Sequence, residues 1–144
     1  MSEMIKKENI AVNVNVNDWQ EAIEKSGQLL VDSGTISDGY IEQMIASVKT
    51  MGPYIVLAPN FALAHAAPSE AVKKTSISLI TLKQPINFGS QNDPVSVVMC
   101  LACVDKTAHI EWLQRIAKKL MQSGMIDQLS QAQSVDQLHD LINS

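Results

Sequence analysis

The sequence predicts an α/β protein: a five-stranded mixed, substantially parallel sheet with helices on both faces. Three observations predict it. An alternating valine and asparagine stretch lies near the start, an almost wholly apolar run from Val95 to Val104 lies past the middle, and amphipathic stretches with recognisable caps fall between the apolar runs. Strands interleaved with helices in this way bury one sheet between two helical layers.

The elements follow in order. Ile10, Val12, Val14 and Val16 alternate with Ala11, Asn13, Asn15 and Asn17, which predicts a strand with its valines on the buried face and its asparagines in water. Asn17 or Asp18 then caps a helix, with Glu21 in the capping-box position, Trp19, Ala22, Ile23, Leu29 and Leu30 as apolar positions and Gly34 as the stop. A second helix starts near Ser37, presents Tyr40, Ile41, Met44, Ile45 and Val48 on one side, and stops at Gly52-Pro53. Tyr54 to Ala58 reads as a short buried strand ended by Pro59, and the segment beyond it as a loop. Ser76 to Leu82 is β-branched and apolar, with a further extended piece at Ile86 to Phe88 and a turn from Gly89 to Pro94. Val95 to Val104, the most apolar strand, belongs at the centre of the sheet. Asp105-Lys106-Thr107 leads from it into a helix with Ile110, Leu113, Ile116, Ala117 and Leu120 facing inward, closed by Gly124. A short segment from Met125 and a last helix after Ser134, with Gln137 in its capping box, complete the pattern.

A chain of 144 residues, 46% hydrophobic and 18% charged, fits one domain, residues 1–144, around one core. Its net charge of −4 and pI of about 5.2 lack the basic footprint that nucleic acid or an anionic membrane surface requires. Residues 1–10 carry two lysines and two glutamates without the apolar core of a secretory signal, and the longest apolar run is too short to cross a bilayer. A cytoplasmic location without direct membrane insertion is expected, and self-association into a homodimer is left open. Cys100 and Cys103 have Cys-x-x-Cys spacing, but in an extended strand residues three apart point to opposite faces, so their sulfurs diverge and they read as core thiols.

The chemistry points to His65. It lies between Pro59 and Pro68 among the small residues Ala62, Ala64, Ala66 and Ala67, which let another macromolecule approach an imidazole nucleophile. Those alanines, with Phe61 and Leu63, form a candidate interface. His109 falls in the first turn of the helix after the central strand, where free N–H groups and the helix dipole attract anions; if the two strand ends are adjacent, a phosphoryl group on His65 sits there. Read singly, His65 is a loop histidine bonded to a local carbonyl and His109 a partly exposed helix residue. His139, on the last helix, reads as surface. Walker-type and Gly-x-Gly-x-x-Gly phosphate loops, Gly-x-Ser-x-Gly and His-Glu-x-x-His are all absent, so no nucleotide or metal cofactor is called for. An alternative is a metal site built from His65 and His109 with Asp93 or Asp105.

Gly52-Pro53-Tyr54-Ile55-Val56-Leu57-Ala58-Pro59, Ala64-His65, Val72-Lys73-Lys74-Thr75, Ser78-Leu79, Thr81-Leu82-Lys83 and Asn92-Asp93-Pro94-Val95 together resemble enzyme IIA of the sugar phosphotransferase system (PTS), mannitol/fructose type. The lysine-rich run and the Asn-Asp-Pro-Val segment are most similar to the ascorbate-specific branch. The resemblance covers the chain from about Asp18 to Ile142. It implies a phosphorelay in which His65 takes a phosphoryl group from the phosphohistidine of the carrier HPr and passes it to a cysteine of enzyme IIB, which serves the membrane transporter IIC, with His109 as the second active-site histidine. Three features depart from the family pattern. Ala64-His65-Ala66 replaces Pro-His-Gly at two positions, and Ser47 stands where mannitol-type members carry an arginine, leaving phosphate stabilisation to His109, backbone donors and Lys73. A regulatory relative, using the same fold as a phosphorylation-sensitive binding module without a transport role, is the alternative the resemblance leaves open.

Overall fold

The computed structural model describes residues 3–144. After a short 3-10 turn at Lys7–Asn9, strand β1 (Ile10–Val14) leads to helices α1 (Trp19–Asp32) and α2 (Asp38–Met51). Strands β2 (Val56–Ala58), β3 (Asn60–Ala64), β4 (Ser76–Ile86) and β5 (Val95–Ala102) follow, then helices α3 (Lys106–Leu120), α4 (Met125–Ser130) and α5 (Val135–Asn143). The five strands lie in the order β1-β4-β5-β3-β2, so the most apolar strand is central, as its composition requires. The β1–β4 and β3–β5 pairings are parallel; β4–β5 and β2–β3 are antiparallel.

Each face of the sheet has its own apolar layer. Ala62 and Ala64 of β3 and Val98, Cys100 and Ala102 of β5 pack with Ala22, Ile23 and Leu30 of α1 and Tyr40, Met44 and Val48 of α2. Phe61, Leu63, Val97, Met99, Leu101 and Cys103 face the other way, against Ile116, Leu120, Leu129, Leu138 and Ile142 of the last three helices. The period-2 alternation of a strand therefore sends the two cysteines into different layers, where they are free and buried. Burial pushes the Cys100 thiol up to about 12 and the Cys103 thiol up to about 11.

The helix ends are explained by local hydrogen bonds. Asp18 caps α1 by accepting from the Glu21 N–H at 2.9 Å. At the other end Gly34 takes the left-handed conformation (φ +78°), and the Thr35 N–H reaches the Leu30 carbonyl at 3.0 Å. Ser134 caps α5 through the Gln137 N–H, while the Gln137 side chain accepts from the Gln133 N–H instead of the cap residue's own.

Five sequence expectations are corrected. Valines of β1 do not share a face: Asn13 is left-handed (φ +53°) and the pairing shifts there, so Val12 packs with one layer and Val14 and Val16 with the other. The segment after Pro59 is a strand, because Asn60 (φ +70°) reverses the chain and β3 pairs with both β2 and β5; Ile86 is not a separate piece but the end of β4. On α3 the inward stripe is rotated: Ile110 is 57% exposed and Ala117 is exposed, while Trp112, Leu113, Ile116 and Leu120 pack inward, and Lys119 is buried with its ammonium on the Ser144 carbonyl and hydroxyl. His139 is not simple surface, since it lies largely buried against Glu3.

Candidate active site

Parallel pairing of β3 with β5 places their C-terminal ends side by side, with Ala64 opposite Cys100. His65 follows β3 directly, and α3, carrying His109, departs three residues beyond β5. Topology thus brings together two histidines 44 positions apart in sequence. Their ring centroids are 5.5 Å apart with planes inclined at 45°. Both side chains are partly exposed.

The His65 ring is oriented by its surroundings. Nδ1 lies 2.7 Å from the Leu63 carbonyl oxygen. A carbonyl only accepts, so in the neutral ring Nδ1 carries the proton and Nε2 the lone pair. The Tyr54 ring meets the His65 ring edge to face, with centroids 5.2 Å apart, and its hydroxyl donates to the His65 carbonyl at 2.7 Å. Burial holds the His65 imidazole below the usual histidine pKa; the Leu63 bond opposes this and the adjacent His109 reinforces it. Burial lowers the His109 pKa as well. Near neutral pH both rings are therefore uncharged, one presenting a nucleophilic nitrogen beside the other.

Several expected contributors stand elsewhere. Phe61, Leu63, Ala62, Ala64 and Ala66 are buried; of the small residues beside His65 only Ala67 is exposed, so that run is core before it is an interface. Ala66 does not take a left-handed conformation, so the absence of glycine there carries no backbone cost. The start of α3 is already occupied by an anion, because Asp105 accepts from the Ala108 N–H at 2.8 Å and the His109 N–H is bound to the Asp105 carbonyl. Lys73 is exposed beside the Ile36–Val72 bridge, with its backbone N–H on the Thr35 carbonyl. Ser47 faces the Tyr54 hydroxyl and opposes the burial that raises that phenol's pKa.

The metal alternative loses its carboxylates. Asp93 precedes β5, at the opposite end of the sheet from His65, and accepts the N–H groups of Phe88, Gly89 and Ser90. Asp105 is engaged as the cap of α3. Among the described residues no three metal-ligating side chains gather. A cleft of about 350 Å³ beside Asn9, Thr35, Thr75 and Trp112 includes neither histidine. No described helix is long and apolar enough to cross a membrane.

Sequence reasoning passed over Tyr40 and Tyr54 as site residues. Their hydroxyls bind backbone groups of the His65 segment, and such partners leave no motif.

A five-stranded mixed sheet between helical layers, with paired imidazoles at one sheet end, is the frame of a histidine phosphocarrier. The chain belongs to the family described as "Phosphoenolpyruvate-dependent sugar phosphotransferase system, EIIA 2", whose model matches residues 3–144. As an EIIA component it is a phosphotransferase that carries phosphohistidine. It is 33% identical over 142 residues to an ascorbate-specific PTS system EIIA component of Salmonella choleraesuis, covering 97% of this chain and 92% of that one. It is 34% identical over 143 residues to a mannitol-specific cryptic phosphotransferase enzyme IIA component of Escherichia coli, covering 99% and 97%. The solution structure of the mannitol-specific cryptic enzyme IIA CmtB from Escherichia coli superposes with a TM-score of 0.88 at 34% identity, covering 97% of this chain and 95% of that one.

Proposed function

We propose that His65 is the phosphoryl acceptor of this phosphocarrier, with residues 1–144 working as one EIIA domain in the cytoplasm. The observation that carries this reading is the partly exposed ring pair, 5.5 Å apart, in which Nδ1 of His65 is held by the Leu63 carbonyl and Nε2 has no hydrogen-bond partner among the described residues. In the first transfer the N–P bond of phospho-HPr breaks as an Nε2–P bond forms, and the donor imidazole recovers its electron pair. The Nδ1–H stays on the Leu63 carbonyl throughout. In the second, the Nε2–P bond breaks as a cysteine thiolate of enzyme IIB takes the phosphorus, and IIB serves the membrane component IIC. Transfer of this kind requires alignment and charge stabilisation and little covalent chemistry from the protein. His109 supplies an N–H donor or, when protonated, a positive charge beside the transferred group.

The substrate reading is uptake of ascorbate or a related sugar acid, supported by the similarity to ascorbate-specific EIIA components. Incubation with phosphoenolpyruvate, enzyme I and HPr is expected to place one acid-labile phosphate on His65, and none on His65→Gln. A chase with ascorbate-type and mannitol-type IIB domains is expected to discharge it to the former faster. Label on another residue overturns the site; label that no IIB discharges overturns the transport role in favour of a phosphorylation-sensitive regulator.

A further inference from the structure

We propose that Tyr40 and Tyr54 are positioning residues for His65, gripping the two ends of the peptide unit that follows it. The proposal rests on the reading of His65 as the phosphoryl acceptor. The His65 carbonyl and the Ala66 N–H belong to one planar unit. Tyr54, from the turn before β2, donates its hydroxyl to that carbonyl at 2.7 Å. Tyr40, from the first turns of α2, accepts that N–H at 3.0 Å. Two tyrosines from different elements thus set the rotation of a single peptide plane, and with it the backbone angle from which the imidazole departs.

Tyr40 also links the two halves of the site. Its hydroxyl lies 3.0 Å from the Leu101 carbonyl on β5 and 3.0 Å from the Ala66 carbonyl, and its one proton serves one of them at a time. Through Leu101 it ties the segment after β3 to the end of β5, from which the chain runs on to His109. The phenol is fully buried, so each of these bonds forms without competition from water. Tyr54 adds the edge of its ring against His65. The grip supplies what Ala64 and Ala66 lack, since neither alanine restricts the backbone as a proline beside the histidine does.

Loosening the peptide plane lets the ring swing away from the Leu63 carbonyl, which alone fixes its proton on Nδ1. Tyr54→Phe keeps the ring contact and removes the hydroxyl. In the unphosphorylated protein, nitrogen-detected NMR of His65 is expected to show the Nδ1–H tautomer alone in the wild type and a clear Nε2–H population in Tyr54→Phe. The kcat for transfer from phospho-HPr is expected to fall about tenfold in Tyr54→Phe with KM for phospho-HPr unchanged. Tyr40→Phe is expected to do the same more severely, because it leaves the Ala66 N–H without a partner; should it fail to fold, Tyr54→Phe carries the test. A Tyr54→Phe protein with the wild-type tautomer and wild-type kcat overturns the proposal. The tautomer measurement needs no phosphodonor, so the two readings fail separately: a wild type that takes no label on His65 sinks the phosphocarrier assignment, whereas a labelled wild type indifferent to the hydroxyl sinks only the grip.

Discussion

At His65 the local environment decides protonation before any partner arrives. Burial holds its pKa below the ordinary histidine value, and His109 pushes in the same direction. An NMR titration is expected to place the His65 midpoint below the reference of about 6.5, and to move it upward in His109→Gln, where one lowering influence is gone. Acceptor activity should accordingly persist on acidification through pH ~6.5 and decline only below it. The same shift bears on stability. Because the folded state binds this proton less readily, the unfolded chain takes it up first, so His65 lowers stability as pH falls from about 6.5 to the folded midpoint and adds nothing further below. Urea denaturation across that window, compared between wild type and His65→Gln, is expected to show the variant losing less.

Among the elements, the helices were the most legible in the sequence, because the residues at their ends act locally. Asp18, Ser134 and Asp105 each accept a backbone N–H, and Gly34 turns left-handed. Strand β3 was hidden. Pro59 reads as a loop signal, and the alternation of Phe61 and Leu63 with alanines carries no polar face because both sides are buried. The stripe of α3 was misjudged because Ile110 and Ala117 fit a helical period that packing does not use. One helix contact has no sequence signature at all. A Cβ built on Gly27 of α1 would lie 2.7 Å from Cγ1 of Ile41 on α2, so the two helices meet through the missing side chain. Gly27→Ala gains up to ~1 kcal/mol of helix propensity but overpacks the contact by about 1–3 kcal/mol. A net loss of about 1 kcal/mol is expected in chemical denaturation.

For the whole molecule, sheet order does what no single motif could. His65 and His109 were each legible as residues of interest at strand or helix ends, but their proximity required β3 to lie next to β5, a long-range fact carried by the packing of both faces. The tyrosines that hold the peptide after His65 come from still other parts of the chain. The central strand also separates Cys100 from Cys103, each shut inside its own layer with a strongly raised pKa. Thiol-reactive dye is expected to label neither cysteine in the native protein, with labelling in denaturant tracking global unfolding. With both thiols shut away, the native protein offers no sulfhydryl to maleimides or disulfide reagents, and this gives a practical handle: in a reconstituted relay, such chemistry would report the sulfur of the downstream acceptor with no contribution from this chain.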